Sequence, residues 1–247
     1  GAGIAEGACD CDGNVADAIG VCGGACTADV DADGICDDVD DCISEYICLN
    51  NDNIHEAVAL WLTNQDSAMI AYGHISDWDV SEVTHMTSLF SKELHYMLSD
   101  YDEVIEEIYA FNDDITGWDV SNVITMQKTF FGASSFNQDI SVWNTSSLVS
   151  LHMTFDEATS FNQPIGSWDV SGVTDMHRIF RKAEVFNQDL SAWDVSNVHE
   201  MGAAFGETTF NQDISMWDVS SVSNMGAMFK SSQFNGDISG WNVSNVN

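Results

Sequence analysis

Tryptophan returns at Trp118, Trp143, Trp168, Trp193, Trp217 and Trp241, at intervals of 25, 25, 25, 24 and 24 residues, and the same phrase surrounds each copy. A fixed period of this size is the mark of a repeat array. Each unit buries its apolar face only against its neighbours, so any function belongs to a long surface more than to one pocket.

The phrase can be read by offset from each Trp. In the copy at Trp118 the apolar positions are Val120, Val123, Met126, Phe130, Phe136 and Ile140; at Trp168 they are Val170, Val173, Met176, Phe180, Phe186 and Leu190. Gaps of two and three followed by four to six do not keep the 3.6-residue period of one amphipathic helix. The pattern predicts a repeat solenoid, mainly β, with one short strand per coil around Val123 to Met126, tight turns, and a helical turn near Phe130. Trp at a fixed phase is expected to face inward as a ladder.

The polar positions are as regular. Ser81, Ser121, Ser146, Ser171, Ser196, Ser220 and Ser244 each stand three places after a Trp, and Asp or Asn follows the Trp directly. Asp119-Val120-Ser121 therefore reads as an Asx-turn. Asn112, Asn137, Asn162, Asn187, Asn211 and Asn235 each follow the second Phe, where stacked amides can satisfy corner backbone groups.

A first copy begins at Trp78, and the next Trp comes 40 residues later. The surplus falls within Ser91 to Ala110, where Asp100 and Glu103 have capping-box spacing ahead of Val104, Ile105, Ile108 and Tyr109, predicting a helical insertion over 91–110. Upstream, Asn53-Ile54-His55-Glu56 repeats that spacing, and Ile54, Ala57, Val58, Trp61 and Leu62 follow at helical intervals. Residues 51–77 are expected to form a helical cap and 78–247 about seven repeats.

Phe136-Asn137-Gln138-Asp139-Ile140-Ser141 and Trp168-Asp169-Val170-Ser171-Gly172-Val173-Thr174-Asp175-Met176 closely resemble the BspA-like surface-protein repeats, also known as a mycoplasma-lipoprotein domain of unknown function. The resemblance covers about residues 55 to 247. It implies a leucine-rich-repeat-like solenoid on a cell, or sometimes virus, surface, used for adhesion or as a structural element, and it carries over no catalytic residue.

Residues 1–50 have a different chemistry. All seven cysteines lie there: Cys9, Cys11, Cys22, Cys26, Cys36, Cys42 and Cys48. Asp29, Asp31, Asp33, Asp37 and Asp40 occupy positions 1, 3, 5, 9 and 12 of a calcium loop, with Gly34 at 6 and the Ile35 carbonyl at 7. Position 12 is Asp where an EF-hand has Glu, and cysteines flank the loop instead of helices, so the segment resembles a thrombospondin type 3 calcium repeat. Asp10, Asp12, Gly13, Asn14 and Asp17 look like a degraded second loop. With almost no apolar core, such a segment needs calcium and disulfides for order. Zinc at Cys22 and Cys26 is the competing reading, disfavoured because no second close pair completes four ligands. The odd cysteine is free, pairs with another chain, or has its partner elsewhere.

Six Lys plus Arg against forty Asp plus Glu give a formal charge of -34, which repels nucleic acid and anionic membrane surfaces. Asp114, Asp139, Asp189, Asp213 and Asp237 are expected to stack in one column and Asp169, Asp194 and Asp218 in another, each like-charge pair costing about 0.8 kcal/mol in water-like dielectric. No run of 18 apolar residues is present, so no segment is expected to span a membrane. The cysteines, the calcium loop and sequons at Asn144 and Asn242 argue for export, and the resemblance implies a cell-surface or virion-surface location.

No nucleophile motif, phosphate loop or HExxH occurs, and His85, His152, His177 and His199 read as scattered surface residues. The leading expectation is a non-enzymatic extracellular repeat protein, adhesive or filament-forming, with a calcium-stabilised head; the alternative is a glycan-binding module using aromatic and Asp/Asn columns. The array stops shortly after Trp241, so continuation of the chain, or docking of another copy's head on residues 217 to 247, is expected. Expected partners are other copies, other surface or filament proteins, and glycans.

Overall fold

A computed structural model describes residues 46–94 and 104–247. The chain divides into two compact units, 1–48 and 49–247. Nearly all of the first lies outside the described residues, and with it the calcium loop and six of the seven cysteines. Cys48, the one cysteine described, is disulfide-bonded.

The second unit opens with two helices, α1 (Ile54–Thr63) and α2 (Gln65–Tyr72). Helix α1 buries Ile54, Ala57, Val58, Ala59 and Trp61 against the first coil, as the spacing predicts. The Asn53 capping box does not form: its side chain accepts instead from the Asn50 amide at 2.9 Å. The residues flanking the two helices also supply what a preceding coil would have given. Asn51 Oδ1 accepts from the amides of Thr84 and His85 at 2.9 and 3.0 Å, and the Trp78 indole donates to the Gly73 carbonyl at 3.1 Å. A terminal coil would otherwise leave these donors to water.

From Trp78 onward each coil lies on the next through one recurring bond pattern. In the coil at Trp118, the amides of Met126, Lys128, Phe130 and Gly132 donate to Ser150, His152, Thr154 and Asp156 of the following coil, at 2.8 to 3.1 Å. The alternate amides, Thr129, Phe131 and Ala133, donate back to Met126, Lys128 and Phe130 of their own coil, at 3.1 to 3.2 Å. Every second residue therefore bonds forward and every other one closes a turn.

This pattern corrects the expectation of a mainly β, leucine-rich-repeat-like solenoid. Among the described residues there is no β-strand. Neighbouring coils share only one parallel bridge each, in the row His85, Thr125, Ser150, Asp175, Glu200 and Asn224. The cause is local: a turn closes at Val123 just before the bridge at Thr125 and turns recur from Met126 onward, so the extended run is held to that single bridge. Two columns of left-handed backbone enforce it. Ser88, Lys128, Met153, Arg178, Ala203 and Ala227 form the first, with φ between 53° and 59°; Gly132, Glu157, Lys182, Glu207 and Ser231 form the second. Lys128 and Gly132 hold the third places of the turns Met126 to Thr129 and Phe130 to Ala133, where type II turns require positive φ. No helical turn forms near Phe130. The helix of the insertion is α3 (Val104–Ala110), whose N-terminal capping residues lie outside the described residues.

The core is three aromatic columns. Trp rings stack at 6.1 to 6.5 Å in the pairs Trp78–Trp118, Trp143–Trp168, Trp193–Trp217 and Trp217–Trp241, and one Phe column stacks at 5.5 to 5.8 Å through Phe90, Phe130, Phe155, Phe180, Phe205 and Phe229. The second Phe column leans on the first within each coil, as Phe155 on Phe161 at 4.0 Å. From Trp118 to Trp217 each indole of the column donates to a carbonyl of the preceding coil, as Trp168 Nε1 to Ile140 at 3.0 Å. The Trp column thus faces inward, as the fixed phase predicts.

Candidate functional site

Three surface rows remain once core and backbone are accounted for. The first is the Asx edge. Asp79, Asp119, Asn144, Asp169, Asp194, Asp218 and Asn242 each accept the amide two residues on, at 2.9 to 3.3 Å, forming the expected Asx-turns. Asp114, Asp139, Asp189, Asp213 and Asp237 do the same at a second corner. His74 holds the equivalent place beside the cap, its Nδ1 accepting from the Ser76 amide.

These turns decide the electrostatics of the edge. Hydrogen bonds from Ser196 hold the Asp194 carboxyl below its ordinary value, although Asp169 and Asp218 on either side push it up. Asp213 is likewise lowered by Ser215 against the repulsion of Asp189 and Asp237. Turn bonding outweighs column repulsion, so the edge stays ionised.

The Asn column seals the neighbouring corner. Asn112, Asn137, Asn162, Asn187 and Asn211 each accept the amide of the next Asn, at 2.8 to 3.0 Å. Gln138, Gln163, Gln188 and Gln212 bond the intervening carbonyls. The Asn ladder is therefore backbone support, as the spacing predicts.

The second row contains the histidines, and here the sequence reading missed a pairing. His152 and His177 share one offset and stack at 5.2 Å, with His152 Nδ1 3.1 Å from Asp175 Oδ2. Burial, then the neighbouring His152 and Arg178, lower the His177 pKa. His85 and His199 stand elsewhere, at their own offsets. Among the described residues no group of three metal-ligating side chains converges.

The third row is the charged edge along the left-handed columns. All six cations of the chain, Lys92, Lys128, Arg178, Arg181, Lys182 and Lys230, fall in this segment of their coils. Four of them pair with acids of other coils, adjacent ones for Lys128, Arg181 and Lys182 and two coils on for Lys92. Lys128 pairs with Glu93 at 2.8 Å, Arg181 with Asp156 at 2.8 Å, and Glu157 gathers Lys92, Arg181 and Lys182. Asp156 is fully buried, and burial raises its pKa to about 6 in spite of Arg181. Glu157 is held below its ordinary value because hydrogen bonds from Lys92 and Lys182, with their charges, together exceed its burial. Beside this network lies a cleft of about 350 Å³ lined by Tyr109, Gly132, Ser134, Glu157, Thr159, Lys182 and Glu184.

The remaining sequence-predicted residues are simply placed. Asn144 and Asn242 are exposed. Asn144 Oδ1 accepts from both the amide and the hydroxyl of Ser146, at 3.2 and 2.9 Å. Asp29, Asp31, Asp33, Ile35, Asp37, Asp40, Cys9, Cys11, Cys22, Cys26, Cys36 and Cys42 lie outside the described residues.

The chain matches the family described as a mycoplasma protein of unknown function, DUF285, over residues 63–97, 99–209 and 192–247. It belongs to this family. The match begins inside α1 and runs through the insertion and every coil, so the Asx turns, the Asn ladder and the charged edge of this DUF285 chain all lie in family sequence. No curated protein and no solved structure matches the chain. Among the described residues no helix is long and apolar enough to cross a membrane.

Proposed function

We propose that the chain is a non-enzymatic extracellular surface protein, an adhesive or filament-forming repeat element whose N-terminal head is ordered by calcium at Asp29, Asp31, Asp33, Ile35, Asp37 and Asp40 and by disulfides. The observation that carries this reading is the bonding of each coil to the next by the same alternating amides, which multiplies length and presents one continuous ionised edge. Such quasi-one-dimensional stacks supply extended binding faces and spacers. The disulfide at Cys48 supports an oxidising compartment. Partners in this reading are other copies or other surface proteins, with glycans at Asn144 and Asn242 in a eukaryotic source. A glycan platform built from the Trp column is set aside, since those rings are core.

Labelling intact source cells or particles with antibody to the coil array tests the location. Signal without permeabilisation is expected; signal only after permeabilisation would overturn the proposal.

A further inference from the structure

We propose that the cleft between α3 and the charged edge binds a neutral, hydroxyl-rich saccharide, with Tyr109 as its aromatic contact. This goes beyond the surface role above and does not depend on it. The cleft spans three consecutive coils at two repeated offsets: Gly132, Glu157 and Lys182 at one, Ser134, Thr159 and Glu184 at the other. Its volume of about 350 Å³ lies at the lower end of the range for small-molecule sites.

Two departures from the repeat create it. Gly132 stands where the following coils carry Glu157, Lys182, Glu207 and Ser231. A side chain there would press on Lys92, whose Cδ lies 2.8 Å from where a Cβ would be. The insertion then contributes Tyr109, 38% exposed, a ring one repeat before Ser134, Thr159 and Glu184. An exposed aromatic with a polar tip beside convergent hydroxyls and a carboxylate suits a ligand with apolar C–H faces and many hydroxyls.

The hydrogen-bond inventory is already oriented for it. Ser134 Oγ donates to the Tyr109 carbonyl at 3.0 Å and Thr159 Oγ1 to the Ser134 carbonyl at 3.2 Å, so both oxygens turn their lone pairs outward as acceptors. Lys182 uses one ammonium proton on Glu157 at 3.1 Å and keeps two to donate. Glu184 is exposed and adds two acceptor oxygens.

Charge selects the sugar class. Lys92, Arg181 and Lys182 balance Asp156, Glu157 and Glu184 around the lining, so no unpaired cation is offered to an anion, and the chain as a whole carries a formal charge of -34. Uronic and sialic acids are repelled, and uncharged hexoses and N-acetylhexosamines are not. A cationic peptide would be drawn to the Asx edge as readily as to this cleft, so it has no reason to select it.

The test is titration of the full chain with glucose, galactose, mannose, N-acetylglucosamine and N-acetylgalactosamine, with glucuronate and sialic acid as the acidic arm. Binding is read by amide chemical shifts. At least one neutral sugar is expected to shift Ser134, Thr159, Lys182 and Glu184, with Tyr109→Ala weakening it about tenfold or more and Tyr109→Phe by about threefold or less. Glu184→Gln, at an exposed site, is expected to weaken binding with the melting temperature unchanged. The proposal is overturned if no neutral sugar shifts these amides at about 20 mM, if only the acidic sugars do, or if both Tyr109→Ala and Glu184→Gln bind like the parent.

Discussion

Replacing Trp168 by Ala tests the inward Trp column at its middle. The ring is 3% exposed, stacks on Trp143 at 6.3 Å, meets Phe155 at a tilt at 6.0 Å, and donates from Nε1 to the Ile140 carbonyl at 3.0 Å. Removing it opens a cavity between two coils that the backbone ladder keeps apart, and Trp→Ala changes in such cores cost about 3 to 5 kcal/mol. The Ile140 carbonyl also loses its indole donor, adding about 1 kcal/mol. The expected loss is therefore about 4 to 6 kcal/mol, a large share of what a single domain holds in reserve. Trp168→Phe should recover most of the packing and keep only the hydrogen-bond deficit. Urea unfolding followed by fluorescence of the seven remaining Trp measures both variants. A loss below about 1 kcal/mol for Trp168→Ala would refute the ladder as the source of stability.

Other perturbations read the remaining rows. Asn162→Ala removes the acceptor of the Asn187 amide and a contact of Gln188, and a cost of about 1 to 2 kcal/mol in the same assay is expected; no loss would mean that water replaces the ladder freely. Asp156 binds its proton more tightly folded than unfolded, so it makes stability fall as pH rises from about 4 to about 6, by about 3 kcal/mol for a change from 3.8 to about 6. Melting temperatures of the parent and Asp156→Asn should therefore diverge across that window, and parallel curves would refute the raised pKa. The Asx-edge carboxylates act in the opposite sense, their lowered pKa values giving stability that is lost as pH falls below about 4. Chelation, or Asp33→Ala, should raise protease cleavage between Asp10 and Cys42 while leaving the coils intact; equal cleavage with and without chelator would count against calcium.

The period announced the stack, and the Trp, Phe and Val offsets announced its core, because burial demands the same side chain at the same phase in every coil. The Asx turns and the Asn ladder were legible for the same reason. What the sequence hid was the backbone path. Left-handed residues usually advertise themselves as Gly or Asn, yet here one column reads Ser88, Lys128, Met153, Arg178, Ala203 and Ala227. Each of these pays about 1 to 2 kcal/mol for its conformation, imposed by the forward bonds of the coil, so no local preference betrays it. Without that signal, Val123 to Met126 reads as a strand. The pairing of His152 with His177 was visible in their shared offset, but grouping them with His85 and His199 concealed it. The cleft at Tyr109 was less accessible still, since it needs the insertion to lie beside coils 25, 50 and 75 residues further along.

The distribution of charge follows from what a stack of identical coils cannot do with identical ions. A carboxylate repeated at one offset meets copies of itself on both sides, and the Asx edge tolerates this only because each acid is first committed to its own turn. The edge along the left-handed columns has no such turn acceptors, and from the coil at Trp118 onward the signs there alternate from coil to coil. Lys128 is followed by Asp156 and Glu157, then by Arg178, Arg181 and Lys182, then by Glu207, then by Lys230. Unlike charges on adjacent coils attract only when the coils stack in this order, so a misregistered array would set Arg181 against Lys or leave Asp156 buried without its cation. Breaking a buried pair in this way costs about 3 to 5 kcal/mol, more than any one exposed pair returns. In a repeat whose core is nearly the same in every coil, aromatic stacking cannot tell one neighbour from another. The alternating edge can, and it places all six cations of a strongly acidic chain where they distinguish the coils.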